Sequence, residues 1–327
     1  MSASTQTSLQ PPKPYRSYSE LVEILESRGM IIQDKAYAEK KLSQIGYYRL
    51  SGFWYISRII QPSPLLRLEQ FQPNTNFENV VQLYIFDKKL RQLMLDGIER
   101  IEICIRSLIA HEMGCHNSLA YKESSFINPK HMKQWRKPGK IGTPWSTWSS
   151  MHEKQIENSK VDCIRWHRNN KKEMPFWVVI EAWDFGLMST YYSMLLGEYQ
   201  NYISDRLLPK NNAHILEKWL KEINTLRNRC AHHTRIWNQK GQALPVPNGC
   251  PNDYFKKLSL DNNARERIYG LISVIWFLLK QITPSSNWIS DVADLIDNKP
   301  SLPGCSYHSM GFSEINLAFL RQTNKQT

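Results

Sequence analysis

Three arginines, two histidines and an asparagine fall within nine consecutive residues of this 327-residue chain, Arg227-Asn228-Arg229-Cys230-Ala231-His232-His233-Thr234-Arg235. No acid lies between Glu222 and Asp253, whereas a solvated helix face ordinarily mixes carboxylates with its cations. Guanidinium groups and imidazoles without carboxylates suit an anionic ligand. The guanidinium forks onto phosphate oxygens, and an imidazole, with an ordinary pKa near 6.5, exchanges protons close to neutral pH.

The cluster ends a stretch that reads as a helix. Ile215, Leu216, Trp219, Leu220 and Ile223 are spaced for one buried face, and neither Gly nor Pro interrupts residues 213–238. Asn228 and His232 are i,i+4, so Asn228 can fix the orientation of the imidazole. Arg227 and His232 are five apart, about 140° round an ideal helix. On one straight helix they do not converge on a small atom. They cooperate if Arg227 reaches round on its long stem, if the helix ends near His232, or if a second copy contributes. The last option makes a homodimer an expectation.

The remaining composition narrows the partners. A net charge of +12 and a pI near 9.3 favour nucleic acid or an anionic membrane surface. Six scattered cysteines form no Cys-x-x-Cys pair, which argues against zinc and against a disulfide framework and suits a reducing compartment. The first residues lack the apolar core of a signal peptide, and the longest apolar run, residues 269–279, is too short to span a bilayer. A soluble, cytoplasmic protein without membrane association is expected. With no carboxylate pair or His/Asp cluster near residues 227–235, neither a metal nor another cofactor is expected.

Read in order, residues 1–14 form a polar tail expected to be disordered. Residues 15–60 read as a small helical subdomain, with capping-box spacing at Ser17 and Glu20 and a cap at Asp34. It ends in Gly46-Tyr47-Tyr48-Arg49-Leu50-Ser51-Gly52-Phe53-Trp54, an aromatic and basic segment suited either to nucleic acid or to docking of its own rings. Three prolines mark residues 61–76 as a linker or loop. Residues 77–285 read as a helical bundle. Its first helix, residues 77–113, is unbroken unless Gly97 interrupts it, and carries a second Arg-x4-His spacing at Arg106 and His111. That spacing reads as a charged face, or as Arg106 or Glu102 shaping the pocket of the Arg227 helix. A basic insertion around 115–172 holds eleven Lys/Arg against three acids between Lys130 and Lys172, with Trp135, Trp145, Trp148 and Trp166 interleaved. Lys133, Arg136, Lys137, Lys140, Arg165, Arg168, Lys171 and Lys172 are its candidate RNA contacts, since cations attract phosphate and indoles stack on unpaired bases. The alternative is a solvated insertion whose tryptophans dock on the body. Residues 173–189 open another helix at Pro175, with Glu181 a pocket residue or a structural partner. Residues 264–282 read as the final core helix, and 286–327 as a C-terminal extension. The fold expected is all-α.

Arg227-Asn228-x-x-x-His232 resembles the R-x(4–6)-H motif of HEPN-type ribonucleases. The wider phrase Arg-Asn-x-Cys-Ala-His-His-x-Arg-x-Trp-Asn is similar to the AbiD/AbiF type of Abi-like abortive-infection proteins. Further likenesses lie at Asp34-Lys35, at Gly46-Tyr47-Tyr48-Arg49-Leu50, in the proline-tryptophan and phenylalanine-glycine pairs of residues 173–189, and at Met310-Gly311-Phe312. The resemblance implies a HEPN-like bundle, a composite site in a homodimer, a role in phage defence or as a growth-arresting toxin, and a structured noncoding RNA as a restraining partner.

The chemistry expected is metal-independent RNA cleavage by the 2′-hydroxyl. His232 acts as acid or base, Arg227 holds the phosphoryl oxygens, and Asn228 orients His232 or binds phosphate; His233, Arg229 and Arg235 are further RNA contacts. The alternative is a non-catalytic RNA-binding protein whose Arg/His cluster only grips phosphate. A third reading is a basic helical scaffold on membranes or protein partners.

Overall fold

A computed structural model describes residues 12–135, 139 and 141–313. Among these the protein is all-α, with fourteen α-helices and one small two-stranded sheet. The chain divides into two units, residues 1–86 with 299–305, and residues 87–298 with 306–327. Of the tail expected to be disordered, residues 1–11 lie outside the described residues.

The first unit begins with α1 (Tyr18–Ser27). Its capping box is reciprocal: Ser17 Oγ accepts the Glu20 amide at 3.2 Å, and the Glu20 carboxylate accepts the Ser17 amide at 2.7 Å. Asp34 caps α2 (Lys35–Ile45) by accepting the Tyr37 amide. In α3 (Tyr47–Trp54), Leu50, Phe53 and Trp54 are buried, and Tyr47 meets Trp54 edge to face. These rings dock, while Tyr48 and Arg49 face solvent. Residues 61–76, expected to be a linker, instead carry most of a β-hairpin, β1 (Arg58–Gln61) and β2 (Leu66–Phe71), paired antiparallel with Arg58 opposite Phe71 and Gln61 opposite Leu66. The prolines that suggested a linker occupy the turn, at 62 and 64, or follow β2, at 73. There the missing N–H costs the ladder nothing.

The helix α4 (Phe77–His116) carries residues of both units and is about 60 Å long at 1.5 Å per residue. It passes through Gly97 without a break. A Cβ there would come within 2.9 Å of Ile275 and 3.1 Å of Trp288, so this glycine serves close packing. In the second unit, Leu90, Met94, Ile98, Ile101, Ile105, Ile109 and Met113 bury one stripe of α4.

The second unit continues with α5 (Pro144–Asn158), α6 (Asp162–Asn169), α7 (Phe176–Val179), α8 (Phe185–Met194), α9 (Gly197–Ser204), α10 (Ala213–Ala231), α11 (Tyr254–Lys257), α12 (Asn262–Arg265), α13 (Ile268–Ile282) and α14 (Trp288–Asp297). The helix α10 packs on α8, α9 and α13. The helix expected over residues 264–282 is split between α12 and α13. Arg267 is extended there, and its guanidinium holds Asn263 Oδ1 and the carbonyls of Asn238 and Ser309. Residues 286–327, expected as an extension, supply α14 to the core of this unit. Trp288 is buried and its Nε1 donates to the Leu93 carbonyl at 2.7 Å. No helix among the described residues is long and apolar enough to cross a membrane.

An aromatic cluster of Trp148, Trp183, Tyr191, Phe176 and Tyr121 encloses His152. The Trp183 indole donates to His152 Nδ1 at 2.8 Å, a bond that needs this nitrogen unprotonated. Burial, then the charge of Lys122, pull the imidazole down to a pKa of about 4. Because the folded value lies below the unfolded one, this contribution to stability is complete above pH 6.5, declines as the unfolded state takes up a proton, and is gone below about pH 4. In His152→Gln, whose amide oxygen accepts from Trp183 without titrating, the fall in melting temperature between pH 6.5 and 4 should be visibly shallower than in the parent.

Candidate functional site at the end of helix α10

The helix that presents the Arg/His cluster stops earlier than its composition suggests. It ends at Ala231, and His232 is its C-cap. The His233 amide bonds to the Cys230 carbonyl at 3.1 Å and the Thr234 amide to the Arg229 carbonyl at 2.8 Å, the paired bonds of a Schellman turn. The left-handed position of that turn, usually glycine, is His233 at φ +57°. A side chain there costs about 1 kcal/mol relative to glycine. His233→Gly should therefore raise unfolding stability in urea by about 1 kcal/mol.

The turn leaves Asn228, His232 and His233 exposed at the helix end. Asn228 and His232 are linked by backbone, the His232 amide donating to the Asn228 carbonyl at 2.9 Å. Arg227 is half-buried and lies in another electrostatic setting. Burial raises the Glu102 carboxyl above its ordinary range, the cations Arg106 and Arg227 pull it back down, and Asp184 pushes it up. Arg106 itself donates to Glu102 Oε1 at 2.7 Å and to the Trp183 carbonyl at 2.9 Å, and lies 3.7 Å from Glu181. Arg106 and Glu102, left open from the sequence, thus join the surroundings of Arg227. Asp184, not singled out from the sequence, belongs there too; it caps α8 at Leu187 and accepts from Gln155.

The chain leaving the site is held by a buried carboxylate that the sequence did not flag. Asp87, fully enclosed, accepts the amides of Ile236 and Trp237, both at 2.9 Å, and pairs with buried Arg91. Burial raises the Asp87 carboxyl, countered by Arg91, by the two amides and by Arg235. Arg235, expected to contact RNA, is half-buried with Nη1 enclosed, and its guanidinium feels the charge of Asp87. The buried Ile236-Trp237 pair that follows Arg235 directly accounts for its partial burial.

The cations of the basic insertion separate into three sets. Arg168 is exposed and donates to the carbonyls of Ile156, Glu157 and Ser159, closing the end of α5. Lys133, Arg165 and Lys171 are exposed, and Lys172 lies 4.6 Å over the Trp166 ring. Arg136, Lys137 and Lys140 lie outside the described residues. The tryptophans also divide. Trp148 is core, its Nε1 bonded to the Leu187 carbonyl, and Trp145 stacks on it, while Trp166 is half-exposed.

Among the described residues, one cluster has donors close enough for a metal ion. Glu112, Cys115 and His116 place an oxygen, a sulfur and a nitrogen within 4.8 Å of one another. They sit at the end of α4, and Glu112 and His116 already share a 3.2 Å hydrogen bond.

No curated protein and no solved structure matches this chain. The family model described as Abi-like protein matches residues 40–238, more than half of the chain and including the whole of α4, α8 and α10. With that match beside the Arg227–His232 helix end it contains, the chain belongs to the Abi-like protein family.

Proposed function

We propose that this protein binds RNA and cleaves it without a metal ion, as a HEPN-type endoribonuclease of the AbiD/AbiF kind. Family membership supports an abortive-infection-type role. The observation that carries the chemical reading is the early end of α10. It puts two imidazoles and Asn228 in solvent at a helix terminus, with Arg227 one turn back beside Glu102.

In this mechanism the ribose 2′-oxygen attacks the adjacent phosphorus and the bond from phosphorus to the 5′-oxygen breaks. The products carry a 2′,3′-cyclic phosphate and a 5′-hydroxyl. His232 takes the proton from the 2′-hydroxyl or supplies one to the leaving oxygen. Arg227 neutralises the charge that gathers on the phosphoryl oxygens. The end of α10 at Ala231 frees His232 from the angle of a straight helix; the family resemblance adds a homodimer with a composite site, and sedimentation of the active species should give a dimer. The exposed cations Lys133, Arg165 and Lys171 are suited to a restraining structured RNA.

The separate settings of Arg227 and His232 also favour a second reading, a phosphate-gripping protein without catalysis. Incubating total RNA with the protein in EDTA, after stripping nucleic acid, distinguishes them. Cleavage that persists in EDTA and stops when the scissile ribose is 2′-deoxy supports the nuclease. A need for added Mg²⁺, or cutting of the deoxy substrate, would sink the mechanism.

A further inference from the structure

Beside Arg106 the α4 helix borders a groove of about 790 Å³, lined in part by Ile103, Arg106, Ser107, His111, Trp177 and Glu181. One ion pair joins it to the site above. Arg106 lines the groove and holds Glu102, whose carboxyl feels the charge of Arg227. Trp177 is 56% exposed, unusual for the largest apolar side chain unless its free face serves a ligand. Its position depends on Gly114, where a Cβ would come within 3.2 Å of Trp177 Cε3. The missing side chain lets the indole pack directly on α4 and hold its place at the groove.

Glu181 supplies the second recognition element. Its side chain is 48% exposed and lies 3.7 Å from Arg106, too far for a strong hydrogen bond. The carboxylate therefore remains open to donors from the groove. Indole and carboxylate in one groove match an unpaired nucleobase, which presents a flat face and a polar edge. Guanine alone offers two adjacent N–H donors on its pairing edge. In adenine and cytosine the donor is followed by an acceptor, and in uracil one donor stands between two acceptors. Ser107 and His111 remain for the sugar and phosphate.

We propose that this groove is a subsite for one unpaired guanine of the bound RNA, stacked on Trp177 and held at its pairing edge by Glu181. The proposal rests on the RNA-binding reading but not on cleavage. The test uses full-length His232→Ala protein, to prevent cutting, and fluorescein-labelled twelve-nucleotide RNAs, one all uridine and one with a single central guanosine, followed by anisotropy. The guanosine strand should bind about tenfold more tightly, the scale of one bidentate hydrogen-bonded contact to a base edge. Glu181→Gln, which trades one of the two acceptors for a donor, should abolish that difference without weakening all-uridine binding, and Trp177→Ala should abolish it while weakening both strands. Gly114→Ala, which pushes the indole aside, should do the same. Binding without discrimination, or discrimination that survives Trp177→Ala, overturns the subsite and spares the RNA-binding reading. Failure of both strands to bind overturns both.

Discussion

Replacing His232 with alanine should lower RNA cleavage by about 10²–10⁴-fold, the usual contribution of a positioned acid or base. The residue is exposed and sits at the C-cap of α10, beyond the last buried side chain, Cys230, so the fold should be untouched. RNA affinity should change by less than about threefold, since one exposed imidazole adds little to a binding surface dominated by phosphate contacts to Lys and Arg. Cleavage and binding must be measured on the same preparation. If cutting and affinity fall together, His232 grips phosphate rather than moving a proton. If the variant still cuts, the acid or base lies elsewhere, with the neighbouring His233 the first candidate. Arg227 is less diagnostic, because its guanidinium serves binding and charge stabilisation at once.

Replacing Asp87 with asparagine should destabilise the protein by about 3–5 kcal/mol, the cost of breaking a buried ion pair from one side. The carboxylate is fully enclosed, pairs with Arg91 and accepts two amides. An asparagine keeps the volume but leaves Arg91 and Arg235 without their counter-charge and can still accept from only part of this set. Urea unfolding measures the global loss, and hydrogen exchange locates it. The amides of Ile236 and Trp237 should lose protection first, because Asp87 is their acceptor. A loss below about 1 kcal/mol would place the pair among ion pairs that contribute little. Cleavage measured under fully folding conditions should also fall, since the tether that fixes the chain after His233 would be loosened.

The two predictions rest on residues that differ in how readily the chain discloses them. His232 stands in a local pattern: charge and imidazole without acid, at the end of an apolar 3.6-residue period. The all-α class, the capping box at Ser17, the cap at Asp34 and the long α4 are of the same kind, because they follow from neighbours within a few residues. The hairpin at residues 58–71 was hidden behind its own prolines, and the split between α12 and α13 depends on bonds from Arg267 to residues 29 and 42 positions away.

Asp87 gave no local sign. It lies in a run of α4 that reads as ordinary helix surface, and its meaning comes from two amides 149 and 150 residues later in the chain. Long separation likewise hides the influence of Arg227 on Glu102 and of Asp87 on Arg235. Local spacing thus marks the candidate side chains and the helix that bears them. Packing decides which of the many cations stay in solvent, because burial draws a charge inward only where a distant carboxylate or carbonyl meets it.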